Sequence, residues 1–296
     1  MSKQHATKKS KHDSATNNDS KPQYNSNPFT LSFNAFSNFM NFNSGWGIAL
    51  IAMSLLSGLA NLLRVFLETV INSNTAHAMT ITQSTIHFSN IGLPELSIII
   101  AIFIFVFVIT LVAIVAGTAI GAFIQGMFSY VALKSIEGHK VSFNEAVDAV
   151  SKRFMRLFLS NLLATLKIIG WTMLFIIPGI IAGLRYALLS FVIMDEPIEN
   201  KGIKTSHERV KLLTRGRLME VFGVNTVGSL IPIVGGVITL AGGGSLYRQL
   251  QVYGDNNIEK PKIHWLNYIG IILIGAVVAL ISMLLILLLA LAVVNS

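Results

Sequence analysis

Three basic side chains stand in runs that are otherwise apolar: Arg64, Lys167 and Arg185. Arg185 is the most isolated, with 17 uncharged residues before it and nine after it. A cation at the centre of a membrane helix costs roughly 2.5–3.5 kcal/mol on insertion scales, so it needs a compensating group. The chemistry open to it is coordination of an anion. A guanidinium can hold a phosphate or carboxylate through two parallel hydrogen bonds. Structural roles compete with that reading. Arg64 and Lys167 can extend their apolar stems toward the polar interface, and Arg185 can pair with a neighbouring helix. No Asp or Glu lies well inside an apolar run, which argues against the acid relays of proton-coupled pumps.

Other chemistry is absent from the pattern. There is no zinc-protease H-E-x-x-H, no G-x-S-x-G elbow and no P-loop, so neither an enzyme nor a cofactor is expected. The chain has no cysteine, which excludes disulfides and thiolate metal sites. Its seven histidines are scattered. His77 and His87 share one polar loop and read as solvated residues rather than metal ligands. The "GGGS" at Gly242–Ser245 lacks the strand and lysine of a phosphate-binding loop, and reads as helix breaking or close packing.

The elements that carry these residues follow from composition. The 296 residues are 53% hydrophobic and 12% charged, against about 25% charged in soluble domains. An all-α integral membrane protein is expected. The net charge of +8 is split among loops between apolar runs. That pattern suits anionic lipid, not nucleic acid.

Residues 1–27 are polar and read as a disordered cytoplasmic tail. Over 28–44, Phe29, Phe33, Phe36 and Met40 share one face of an amphipathic helix, expected in the membrane interface. Residues 45–296 form the helical membrane domain. About six transmembrane helices are expected: 45–67, 96–133, 157–177, 180–194, 221–247 and 265–296. Pro178-Gly179 should break the chain between the third and fourth. The fifth, with Pro232 and seven glycines, should be kinked, broken or re-entrant. Capping boxes at Ser142–Glu145 and Thr205–Glu208 announce two more amphipathic helices, and Gly216 should end the second.

Basic residues set the orientation. Five Lys/Arg lie in the tail, five in 134–156 and six in 195–220, against three in 248–264 and none in the other outer loops. Both termini are therefore expected in the cytoplasm of a bacterium, the chain crossing its inner membrane several times. A re-entrant fifth segment would move the last loop inside and Ser296 outside. "RFMRLFLSN" (153–161) and "RLMEVFGVN" (217–225) agree at Arg, Met, Phe and Asn. Together with the helix before the first span, they suggest three units, each an interfacial helix followed by two membrane helices. The competing explanation is that any passage from loop to membrane favours basic and aromatic residues.

The stretch "FIIPGIIAGLRYALLSFVIMDEP" followed by "TSHERVKLLTRGR" resembles a group of bacterial multi-span membrane proteins. The group includes the membrane domain joined to some glycerophosphodiester phosphodiesterases. The matching positions are Pro178, Gly179, Arg185, Asp195, Glu196, Ser206, Arg215 and Gly216, within residues 142–222. The resemblance implies a helical membrane domain. It supplies no catalytic residue, because the phosphodiesterase chemistry belongs to a separate soluble domain.

Two functions fit. The first is a non-catalytic inner-membrane protein that associates with anionic lipid headgroups or a membrane assembly. Arg185, Lys167 and Arg64 would be its candidate ligand-binding residues, and membrane lipids and membrane proteins its partners. The second is a transporter or flippase for an anionic small molecule or lipid, supported by the broken helices, the glycines and the repeat.

Overall fold

The computed structural model describes residues 24–79, 93–197, 202–256 and 258–294. Residues 1–23 of the tail expected over 1–27, the His77 side chain and residues 80–92 of the first outer loop, with His87, lie outside the described residues. The fold is all-helical among those residues: α1 (Pro28–Met79), α2 (Leu93–Ile136), α3 (Phe143–Ser151), α4 (Phe154–Leu174), α5 (Ile176–Tyr186), α6 (Leu189–Asp195), α7 (Ile203–Thr214), α8 (Leu218–Ser229), α9 (Gly235–Asp255) and α10 (Ile269–Val294). Among the described residues, five stretches are long and apolar enough to cross a membrane: Pro28–Asn72, Ser97–Ile136, Phe154–Leu174, Ile176–Asp195 and Trp265–Ile286.

Segment 221–247 is broken, one of the three forms expected of it. It is a hairpin of α8 and α9. At 1.5 Å per residue, the 12 residues of α8 rise about 18 Å, too little for a hydrocarbon core about 30 Å thick. The chain turns at Pro232 and at Ile233, whose φ is 72°. Glycine lets the two arms touch: a Cβ at Gly228 would stand 2.7 Å from the Gly235 carbonyl oxygen. At the ends of the hairpin Arg217 reaches the Pro261 carbonyl, and Arg248 pairs with Glu137 and Asp195.

The turn between α4 and α5 differs from expectation. The break is at Phe175 (φ −155°, ψ 135°), three residues before Pro178. Pro178 lies in the first turn of α5, where its missing N–H leaves no bond unmade. Gly179 serves packing, because a Cβ there would come within 2.8 Å of the Thr172 Cα.

The amphipathic helices turn much of their apolar surface to protein. In α1, Leu31, Ser32, Ala35 and Phe39 are buried, while Phe33 of the expected interfacial face is 42% exposed. Small residues decide this, since Ser32 lies against Gly242 of α9. In α3, Ala146, Ala149 and Val150 are buried. In α7, Val210 and Leu213 are buried. Ser142 caps α3, accepting from the Glu145 N–H at 3.2 Å. Thr205 is no cap: α7 begins at Ile203 with Gly202 before it. Gly216 follows α7 with φ 72°, the left-handed conformation that favours glycine after a helix.

Candidate functional site

The charged groups of the bundle converge at one end. Arg248 of α9 reaches Asp195 of α6 at 2.7 Å and pairs with Glu137 after α2. Tyr247 and Gln251 each donate to Asp195 at 2.8 Å. Lys134 meets Glu137 at 2.7 Å. Partial burial of Glu137 works against ionisation, but Lys134 and Arg248 hold its carboxyl below the ordinary value. Arg156 lies 3.5 Å from Glu196, which also accepts from Ser206 at 3.2 Å. Arg209 binds Asp255 at 2.5 Å.

Residues 24–27, assigned to the tail from sequence, are docked here. Glu220 is 2% exposed. It accepts from the Tyr24 hydroxyl, from Ser26 at 2.8 Å and from Arg217 at 3.0 Å. The Arg217 guanidinium also lies 5.6 Å from the Tyr24 ring centre. Burial, and then Glu220, raise the pKa of the Tyr24 hydroxyl above its ordinary value. The same segment holds the approach to α10: Asn267 donates to the Ser26 carbonyl and the His264 N–H to the Ser26 hydroxyl, both at 2.8 Å.

This end has an internal order. Asn43, at a kink inside α1, and Arg153 and Arg217, each between two helices, have φ/ψ of −134°/46°, −117°/2° and −126°/15°. Each donates to a carbonyl beyond the returning helix of its own unit: His139, Glu196 and Pro261. The separations are 96, 43 and 44 residues. Three residues on, Trp46 donates to Val141 and Arg156 to Ile193, and Glu220 takes the tail hydroxyls. The same arrangement of a turn residue and a distant carbonyl thus recurs at three places in the chain.

The three cations singled out from sequence do not form one site. Arg64 lies on the far half of α1, with its side chain 74% exposed, and pairs with Glu68 at 2.8 Å. The Lys167 ammonium lies 3.4 Å from His207 Nδ1 and 5.7 Å from the Tyr186 ring centre. His207 Nε2–H donates to the Ser160 carbonyl at 3.1 Å, which leaves Nδ1 as the acceptor for Lys167. Burial, and then Lys167, push the His207 pKa below its ordinary value. Arg185 stands beside Tyr186 in the last turn of α5, half-buried, with no hydrogen bond or ion pair to another described residue. The α4–α5 pairing brings Lys167 to that turn and leaves Arg64 apart.

After the pairings above, Lys140, Lys211, Arg215 and Lys262 remain exposed on the charged face without a carboxylate partner among the described residues. Sequence reasoning missed this division, because partners such as Arg209 and Asp255 are distant in the chain. Among the described residues no three His, Asp or Glu side chains are grouped to hold a metal ion.

By the length and composition of its helices, this is a multi-span α-helical membrane protein. No family model, no curated protein and no solved structure matches the chain.

Proposed function

We propose that the chain is a non-catalytic protein of a bacterial inner membrane whose charged face, on the cytoplasmic side, collects anionic lipid headgroups. The observation that carries this reading is the surplus left after internal pairing. Lys140, Lys211, Arg215 and Lys262 are exposed and basic, whereas most acids of the face are engaged by neighbouring cations. Each such cation near an anionic surface contributes about 1 kcal/mol, close to a fivefold preference per site. The resemblance at residues 142–222 also favours a helical membrane domain without chemistry of its own.

The test is lipid retention. The protein, purified from mixed phosphatidylglycerol and phosphatidylcholine, is expected to keep phosphatidylglycerol several-fold in excess. Replacing the four cations by glutamine should bring the ratio near that of the starting mixture, as should high salt. An unchanged ratio in the variant refutes the reading. Anion flux into vesicles that disappears in Arg185→Leu would favour the transporter instead. The observation on that side is the half-buried Arg185, whose side chain has no partner among the described residues.

The α8–α9 hairpin also changes the proposed topology. The loop at 248–264 joins the cytoplasmic side with the tail. Only α10 then leaves that side, so the C-terminus lies opposite the N-terminus, and not beside it as expected from six full spans. All loop Lys and Arg then share one side, in better accord with the positive-inside rule than sixteen against three. The absence of cysteine makes single labels clean. Lys262→Cys should react from the same side as Ser142→Cys, and Val294→Cys from the other. Reaction of the first two from opposite sides overturns the arrangement.

A further inference from the structure

We propose that the cleft between α2, α6 and the α8–α9 hairpin binds an uncharged, hydroxyl-bearing glyceryl group that enters from the bilayer. The cleft has a volume of about 570 Å³, and no charged side chain lines it. Its polar lining is Gln125, Ser129, Asn225, Ser229 and Thr239. Glycines of both hairpin arms, with Leu188, Phe191 and Leu240, complete the wall.

Depth makes these residues informative. Ser129 is eight residues before Glu137, Asn225 eight after Arg217 and Thr239 nine before Arg248. At 1.5 Å per residue the polar lining stands about 12–14 Å beyond the charged face. That is well inside the hydrocarbon, if the chain is embedded as its five apolar stretches indicate.

Helical hydroxyls in such surroundings normally return to the carbonyl four residues back. Ser54, Thr110, Thr118 and Ser282 do so at 2.8–2.9 Å. Ser129 does not. It is 1% exposed, and its Oγ, like those of the buried Ser32, Ser160 and Ser190, has no partner among the described residues. A buried hydroxyl left unmatched is costly, and of these four serines Ser129 is the one that belongs to the lining of this cleft. Asn225 commits its amide N–H to the Val221 carbonyl at 2.7 Å and keeps its Oδ1 as an acceptor. The lining therefore offers donors and acceptors without net charge, which suits hydroxyl and ester oxygens and gives no counter-ion to a phosphate. Gln125, Ser229 and Gly236 at the margin are exposed, so the cleft opens to the exterior of the bundle at hydrocarbon depth.

The glyceryl group could come from a diacylglycerol or from free glycerol, and two arms of one experiment separate them. The full-length protein is purified from phosphatidylcholine nanodiscs containing a few per cent dioleoylglycerol, and retained lipid is measured by mass spectrometry. Glycerol is titrated separately against the lipid-free preparation, with thermal shift as the readout. Dioleoylglycerol should be retained at least tenfold above its share, and Ser129→Ala combined with Thr239→Val should abolish the excess. The same double variant should keep its melting temperature and its phosphatidylglycerol ratio, which sets this result apart from the charged face. A thermal shift with glycerol that the double variant loses, without retained dioleoylglycerol, assigns the cleft to the free polyol. Retention of neither probe, or equal retention by the double variant, overturns the proposal.

Discussion

Glu220→Ala should lower the melting temperature of the detergent-solubilised protein on the order of 10 °C. The carboxylate is 2% exposed and takes three donors, Tyr24, Ser26 and Arg217. Its removal leaves the Arg217 guanidinium, whose side chain is only 12% exposed, with the Pro261 carbonyl and the Tyr24 ring. Breaking a buried ion pair from one side costs about 3–5 kcal/mol, because the surviving charge stays desolvated. Each kcal/mol shifts the melting point of a chain this large by about 2–4 °C. The double variant Arg217→Met/Glu220→Leu should recover most of the loss, since an apolar pair of similar volume removes both charges together. A Glu220→Ala protein that melts within about 2 °C of the parent would show that the segment at 24–27 is not held by this carboxylate.

Asn43→Leu should cost roughly 2–5 kcal/mol, by the loss of partners for two or more buried polar groups. Asn43 is 4% exposed. Its amide donates to Ser135 Oγ at 2.8 Å and to the His139 carbonyl at 2.9 Å, and its oxygen accepts from the Val141 N–H at 2.8 Å. Leucine fills a similar volume but satisfies none of them. The exposed neighbour Asn41 gives the control: Asn41→Leu should stay within about 0.5 kcal/mol. Hydrogen exchange at the Val141 amide supplies a local readout, and should rise in Asn43→Leu even at temperatures where the helices persist. Unchanged exchange there would mean that the first unit is not closed by this residue.

Both residues show where sequence reading stopped. Asn43 sits among "NFNSGW" and carries no charge, so nothing in its neighbours marks it beside Arg153 and Arg217. The three are comparable only through their backbone angles and the carbonyls they reach. Glu220 looked like one more loop charge, because two of its donors come from 194 and 196 residues away. Tyr24 and Ser26 stand in a segment whose composition resembles a solvated tail. Arg185 was legible as an isolated cation, and the bundle adds that no described residue pairs with it. The cleft was not legible, since Gln125, Ser129, Asn225 and Thr239 are single polar residues in three helices.

The sequence by itself determined the class of the protein, the long apolar helices, the cap at Ser142 and the stop at Gly216. These depend on length, hydropathy and local backbone preference, which act within a few turns of chain. Only the tertiary structure decided that 221–247 folds back on itself as a hairpin. A continuous uncharged run fits a span and a hairpin equally well. The choice was made by the Gly228–Gly235 approach and by the ion pairs that fasten 248–255 to the ends of α2 and α6 and to the middle of α7. The same long-range pairings decided which cations are spent inside the bundle and which remain exposed, because a charge is cancelled by whatever folds beside it, however far away in the chain.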